Sequence, residues 1–204
     1  MAQTEITVQV FEKLEDIEAK LVNLGFVKTE EFNGRDDYFV NMDKSKINNA
    51  SYSNLLNNSL IIRSYTTLKD KSPTSMLLRK IKTLDENQNV IGEEKISTKI
   101  DNVDNARRLL TGINLINWVS LKQKNAFYKN GEKTIIVGNV EGLGNFIEIE
   151  EYKSISTLPE KEKFEILKQY VNSFNFKIGS DYSCKKVFML HNQNLLNQNN
   201  QIKK

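Results

Sequence analysis

Strict alternation of polar and apolar residues is the feature that most constrains the fold of this chain. In EITVQV (5–10), Glu5, Thr7 and Gln9 share one face, and the residues between them are apolar. Because successive side chains of a β-strand point to opposite sides of a sheet, this segment predicts a strand with one polar and one apolar face. Further strands are predicted over residues 26–32, 36–41, 60–65, 75–83, 91–100, 118–128, 132–140 and 145–152.

Three segments have the spacing of amphipathic helices. They cover residues 13–24, which end at Gly25, residues 101–113, and residues 159–174, which begin at Pro159. Gly is common just after a helix and Pro at its first turn. The polar segment 191–204 has the composition of a disordered end. The sequence therefore predicts one α+β domain over residues 1–190 and a disordered tail over 191–204.

Composition excludes several kinds of site. The 204 residues include one histidine and one cysteine, so a His-based triad, a Cys–His pair or a structural zinc site is not expected. A net charge of +3 is too small to indicate nucleic-acid binding by itself. The sequence has no apolar stretch near the ~20 residues of a membrane span. We expect a cytoplasmic protein without membrane or nucleic-acid partners, and a homodimer is left open.

Charged residues on the polar strand faces point to a ligand. In a closed barrel, one face of every strand turns inward, and helices can cover the apolar outer face. The inward set would then contain five cations: Arg63, Lys80, Lys82, Lys122 and Lys124. It would also contain the carboxylates of Glu5, Glu148 and Glu150. Such a mixture is too costly to bury dry, but it suits a hydrated polyphosphate with Mg²⁺ or Mn²⁺.

A family resemblance points the same way. In order along the chain, EITVQV, DDYF, LIIRSY, LKQK, VEGLGNFIEIE and SDYS resemble the landmarks of the CYTH superfamily, the triphosphate tunnel metalloenzymes. That group includes class IV adenylyl cyclases, thiamine triphosphatases and tripolyphosphatases. The similarity spans residues 3–190 and is most specific in VEGLGNFIEIE. It implies an eight-stranded antiparallel β-barrel tunnel with flanking helices.

The resemblance also implies roles for single residues. The predicted triphosphate-binding residues are Arg63, Lys80, Lys82, Lys122 and Lys124, of which Arg63 and Lys122 are the predicted catalytic residues. The predicted metal ligands for Mg²⁺ or Mn²⁺ are Glu5, Glu148 and Glu150. The expected partner is a small molecule that carries a triphosphate, such as a nucleotide, thiamine triphosphate or polyphosphate.

The chain departs from the family pattern at several of its charged positions. Thr7 and Gln9 stand in place of the second acid and the lysine of E-x-E-x-K, and Gly138 replaces an aspartate. Tyr65 replaces an arginine, and the K-x-R pair is K-x-K. Because a hard metal ion needs several anionic oxygens, the loss of two acids predicts weaker metal binding.

Two classes of function follow. The first is a divalent-metal-dependent phosphohydrolase acting on an organic or inorganic triphosphate, with class IV cyclase activity ranked below hydrolysis. The alternative is a catalytically impaired tunnel that binds, senses or sequesters a nucleotide or polyphosphate. A purely structural barrel would leave the five inward cations unexplained.

Overall fold

Eight antiparallel strands form one sheet in the computed structural model, which describes residues 4–67, 73–84 and 90–202. Of residues 82–84, 90–93 and 198–202 it describes the backbone alone. The strands are β1 (Glu5–Val10), β2 (Val27–Val40), β3 (Leu60–Thr67), β4 (Thr74–Leu84), β5 (Val90–Lys99), β6 (Ile116–Asn130), β7 (Lys133–Val140) and β8 (Gly144–Glu150).

The strand order is β1-β8-β7-β6-β2-β3-β4-β5. In the described ranges β1 and β5 form the two edges and are not paired with each other. The sheet nevertheless curls, because described side chains from seven of its strands line one cavity. The predicted α+β fold with an antiparallel tunnel is confirmed.

Strand β2 is longer than the sequence suggests. We expect two strands, 26–32 and 36–41. Asn33 and Gly34, residues that are common in turns, lie between them. The structure has one strand, Val27–Val40, whose residues from Phe32 to Phe39 pair with β3 on one side and, in almost the same stretch, with β6 on the other. Two neighbouring ladders satisfy the backbone here, and that overrides the local preference for a turn.

Six helices accompany the sheet: α1 (Leu14–Asn23), α2 (Lys44–Asn49), α3 (Tyr52–Asn57), α4 (Val103–Gly112), α5 (Glu160–Ser173) and α6 (Lys186–Ile202). A short 3-10 helix covers Lys153–Ile155. The main core lies between the outer face of β1, β8, β7 and β6 and the helices α1 and α5, where Ile17, Leu21 and Leu167 are fully buried. Burial of each such side chain stabilises the folded protein by about 1.5–3 kcal/mol.

Helix α6 runs through most of the segment for which composition predicts disorder. Its apolar residues Val187 and Leu190 lie three apart and pack with Leu121 and Phe146. His191, on the same side, is 5% exposed and contacts the Trp118 ring edge-on, with centroids 5.1 Å apart. Tertiary contact along one helical stripe stabilises this turn despite its polar sequence. Residues 203–204 lie outside the described part.

The segment before α6 covers the free edge of β1. The Thr7 amide donates to the Tyr182 carbonyl at 3.0 Å, and the Cys184 amide donates to the Thr7 carbonyl at 2.9 Å. These bonds pair an otherwise open sheet edge and bring the beginning of α6 to the curled face.

No helix within the described residues is long and apolar enough to cross a membrane.

Candidate functional site

A cavity of about 500 Å³ lies inside the curled sheet. Alternation decides which side chains line it: on β2 these are Glu30, Phe32, Gly34, Asp36 and Tyr38, at every second position. Strand β6 contributes residues 121, 123, 125 and 127, and α3 and α6 close part of the wall. The cavity is of the size at which proteins bind small molecules.

Arginine and lysine side chains enter the cavity from β3 and β4. Arg63 and Asp36 are direct partners in the β2–β3 register, and Arg63 Nε donates to Asp36 Oδ1 at 2.8 Å. A second bond joins Arg63 Nη2 to Asp36 Oδ2, which makes the pair bidentate. Asp36 is 3% exposed, so the buried carboxylate fixes the guanidinium plane. Lys80 also lines the cavity, as predicted, whereas the side chain of Lys82 lies outside the described residues.

The neighbouring Asp37 serves a different purpose, because consecutive strand residues face opposite ways. Its carboxylate accepts from Arg35 Nε at 2.8 Å and from Arg107 Nε of α4 at 3.0 Å. Burial would raise the pKa of Asp37, but hydrogen bonds from Ser120, Arg35 and Arg107 outweigh it and hold the pKa below its usual value. Asp37 therefore anchors α4 on the outer face, while Asp36 orients Arg63 in the cavity.

Three carboxylates enter the cavity from β1 and β8. Glu5, Glu148 and Glu150 all line it, as the sequence predicts. Glu5 lies directly opposite Glu150 in the register, and Thr7 lies opposite Glu148. The polar faces of these two neighbouring strands therefore form one acidic wall, which we define as Glu5, Glu148 and Glu150.

Lys122 and Lys124 do not line the cavity, so the prediction that they point inward is wrong. They lie on the outer face of β6, where Lys122 Nζ is 3.2 Å from Glu141 Oε1 and Lys124 Nζ is 2.6 Å from Glu31 Oε1. Both side chains are 51% exposed. The cavity positions between and beside them are Gln123 and Asn125. A one-residue change of register reverses the two faces of a strand.

The cavity contains cations that the sequence did not predict there. Lys185, directly before α6, and Lys186, its first residue, line the cavity together with Cys184. Lys186 Nζ donates to Glu148 Oε1 and, at 3.3 Å, to Gln123 Oε1. Its side chain is 13% exposed. The only sequence signal was the pair of lysines one residue beyond SDYS, near a segment predicted to be disordered.

At Gln9 and Gly138, two positions that differ from the family pattern, neighbouring groups of the protein make contacts within the site. The Gln9 amide donates to the Leu143 carbonyl at 2.8 Å. A Cβ atom at Gly138 would lie 2.6 Å from Asn125 Oδ1, so the Asn125 amide occupies the space that a side chain at 138 would need. Asn125 is 4% exposed, and within the described ranges its Oδ1 has no hydrogen-bond partner.

Cys184 is the one thiol in the cavity wall. Burial, assisted by the charge of Asp181, raises its pKa above the usual thiol value. The thiol is therefore protonated at neutral pH and is a weak nucleophile.

The residues present do not fit the divalent metal that the resemblance implies. Across the part of the chain that the structure describes, no three His, Cys, Asp or Glu side chains are gathered closely enough to hold an ion. Glu148 is bonded to the Lys186 ammonium, and the Asn125 amide fills the space at Gly138. An ammonium on a carboxylate competes directly with a cation that needs the same oxygens.

Comparison with known proteins identifies the fold. No protein-family model and no curated protein sequence matches this chain. The PH1012 protein of Pyrococcus horikoshii OT3 is similar in structure, with a TM-score of 0.64 and 18% identity over 92% of this chain and 98% of that one.

Two further solved structures are of proteins linked to adenylyl cyclase activity. A candidate adenylate cyclase from Vibrio parahaemolyticus matches with a TM-score of 0.59 and 15% identity over 93% of this chain and 98% of that one. HpAC1 from Hippeastrum, a candidate adenylyl cyclase with a dominant triphosphatase activity, has a TM-score of 0.61 and 16% identity over 94% of this chain and 96% of that one. The chain therefore shares the curled antiparallel-sheet fold of these proteins.

Proposed function

We propose that the cavity binds the triphosphate group of a small molecule and that the protein hydrolyses it. The substrate class is an organic or inorganic triphosphate, such as a nucleotide, thiamine triphosphate or tripolyphosphate. The observation that carries this proposal is the Arg63 guanidinium, oriented by the buried Asp36 carboxylate in the same cavity as Lys80.

An oriented guanidinium and an ammonium are suited to phosphate oxygens. Arg63 has a planar fork of donors that matches phosphate geometry, and Lys80 adds a compact charge. Phosphoryl transfer depends mainly on positioning and on cations that offset charge on the transferring group. The dominant triphosphatase activity of HpAC1 supports hydrolysis over cyclisation.

A second function, binding without turnover, is favoured by a specific observation. Lys186 is bonded to Glu148, one of the acids that the resemblance assigns to the metal. That carboxylate is engaged by an ammonium, and Gly138 stands where the family has a further acid. The cavity is therefore better suited to bind a polyanion than to activate water through a metal.

The test combines turnover and binding on one panel of compounds. ATP, GTP, thiamine triphosphate and tripolyphosphate are incubated with Mg²⁺, with Mn²⁺ or with chelator, and phosphate release and cyclic nucleotide are measured. Calorimetry on the same samples measures affinity. Phosphate release supports the hydrolase, tight binding without product supports the second function, and neither binding nor product with any compound overturns both.

Two lysines on strands of the same sheet provide a matched control. Lys80→Gln removes a cavity cation and should weaken tripolyphosphate binding about tenfold or more. Lys124→Gln removes an exposed cation on the outer face and should change affinity less than about twofold. Equal effects of the two substitutions would contradict the cavity as the binding site.

A further inference from the structure

We propose that Lys186 acts as a built-in cation on the acidic wall, in the place where related tunnels are expected to hold a metal, so that this tunnel binds its polyanion without one. The inference rests on the proposed function of the cavity. It adds a recognition residue, Lys186, and a specific property of the site, which is independence from divalent metal.

The position of Lys186 is defined by three neighbours. Its ammonium contacts Glu148 Oε1, lies 3.3 Å from Gln123 Oε1 and sits 5.9 Å from the centroid of the Phe146 ring. The side chains of Lys186 and Glu148 are only 13% and 19% exposed. Because solvent screens a largely buried pair weakly, the Coulomb attraction in this contact is less attenuated than in a surface ion pair, although burial also adds a desolvation cost.

The backbone delivers this lysine to the wall. Cys184 is hydrogen-bonded to the Thr7 carbonyl, and Thr7 is the direct strand partner of Glu148. Lys186 begins α6 two residues later, and the helix is held by packing of Val187 and Leu190. The backbone bond at Cys184 therefore holds Lys186 close to Thr7, the position at which the family has its second acid.

Charge balance explains why a tethered ammonium matters here. The described cavity wall carries five carboxylates, on Glu5, Glu30, Asp36, Glu148 and Glu150, and four cations, on Arg63, Lys80, Lys185 and Lys186. A polyanion entering such a cavity is repelled by the acidic wall unless a cation offsets it. Lys186 supplies that cation permanently and keeps one further N–H donor, since an ammonium has three and two are bonded to Glu148 and Gln123.

The experiment measures affinity for tripolyphosphate by calorimetry, in chelator and with Mg²⁺. In the wild type, affinity in chelator should lie within about threefold of affinity in Mg²⁺, since Lys186 already offsets Glu148. Lys186→Gln should weaken binding in chelator by about tenfold or more, and Mg²⁺ should restore most of that loss. Lys186→Arg, which keeps the charge, should remain close to wild type in chelator.

Two further variants separate this role from a general loss of charge. Lys186→Gln combined with Glu148→Gln removes both charges and should recover most of the affinity in chelator. Lys185→Gln, the neighbouring cavity lysine, whose Nζ lies 5.1 Å from the centroid of the Tyr52 ring, should lower affinity equally with and without Mg²⁺. Thermal unfolding without ligand establishes that each variant is folded.

Different results overturn different claims. Loss of wild-type binding in chelator, with recovery in Mg²⁺, would overturn the role of Lys186 while leaving triphosphate binding intact. Unchanged binding by Lys186→Gln in chelator would do the same. No binding by the wild type under either condition would instead overturn the proposed function itself.

Discussion

The two charged sides of the cavity are built in different ways. On β3 and β4 the arginine expected from the sequence is present, and its partner Asp36 faces it across one strand pair. On β1 and β7 the residues at positions 7, 9 and 138 differ from the family pattern. Gln9 donates to the Leu143 carbonyl, Asn125 fills the space beside Gly138, and Lys186 contacts Glu148 of β8. The cationic side keeps Arg63 and Lys80, although Tyr65 stands where the family has a second arginine, whereas on the acidic side contacts from within the protein stand where family groups are missing.

The largest expected effect comes from breaking the Arg63–Asp36 pair on the cationic side. Arg63→Met leaves a carboxylate that is 3% exposed without its guanidinium. Because removal of one partner leaves a buried charge unpaired, we expect the free energy of unfolding to fall by about 3–5 kcal/mol. Urea denaturation measures it.

The double variant Arg63→Met with Asp36→Asn is the control for that prediction. It removes both charges and should recover most of the stability, while tripolyphosphate binding stays weak. A single variant as stable as the wild type would show that Asp36 does not depend on Arg63.

An intermediate effect is expected from restoring the family acid on the other side. Gly138→Asp places a Cβ atom 2.6 Å from Asn125 Oδ1. Since both residues are buried, the overpacking should cost about 1–3 kcal/mol of stability. Adding Asn125→Gly creates the missing space and should recover stability and increase Mg²⁺ affinity, measured by calorimetry. Recovery of stability without any change in Mg²⁺ affinity would show that the acidic wall cannot be converted by this residue alone.

The smallest effect concerns the helix that supplies Lys186. Burial lowers the pKa of His191 below its usual value. A hydrogen bond with the Trp118 backbone has a smaller, opposite effect on this pKa. The unfolded chain, with a histidine pKa of about 6.5, then binds this proton more readily than the folded protein. Stability should therefore fall as the pH drops below about 6.5, by at most about 1.4 kcal/mol per pH unit.

His191→Phe tests this dependence. The variant should have a flatter profile than the wild type when urea unfolding is compared at pH 7.5 and 5.5. Phe suits the site because His191 packs against Trp118 and Phe188. Parallel profiles for the two proteins would assign the acid sensitivity to other groups.

Local sequence patterns predicted the parts of the site that one strand decides by itself. The polar faces of EITVQV, LIIRSY and NFIEIE place Glu5, Arg63, Glu148 and Glu150 on the cavity side, and the structure has all four there. In these strands the opposite face is almost wholly apolar and lies in the core. Alternation therefore leaves one orientation, because the reverse would bury charge and expose core residues.

Strand β6 shows where that argument ends. Lys122 and Lys124 lie on one face, but Gln123 and Asn125 make the other face polar as well. Pairing with β2 and β7 decides between the two faces, and β2 contains a register shift between Lys28 and Glu30. The β2 partners of Lys122 and Lys124 are Arg35 and Asn33, far away in sequence, so the local pattern could not supply that decision.

The sequence by itself determined which strand faces carry Arg63 and the carboxylates Glu5, Glu148 and Glu150, because a two-residue period fixes strand faces wherever one face is apolar. The tunnel was implied by the family resemblance. Only the tertiary structure decided which face of β6 turns inward and that α6 brings Lys186 onto Glu148. Those outcomes depend on strand register and on packing between segments distant in sequence, and no local pattern records either.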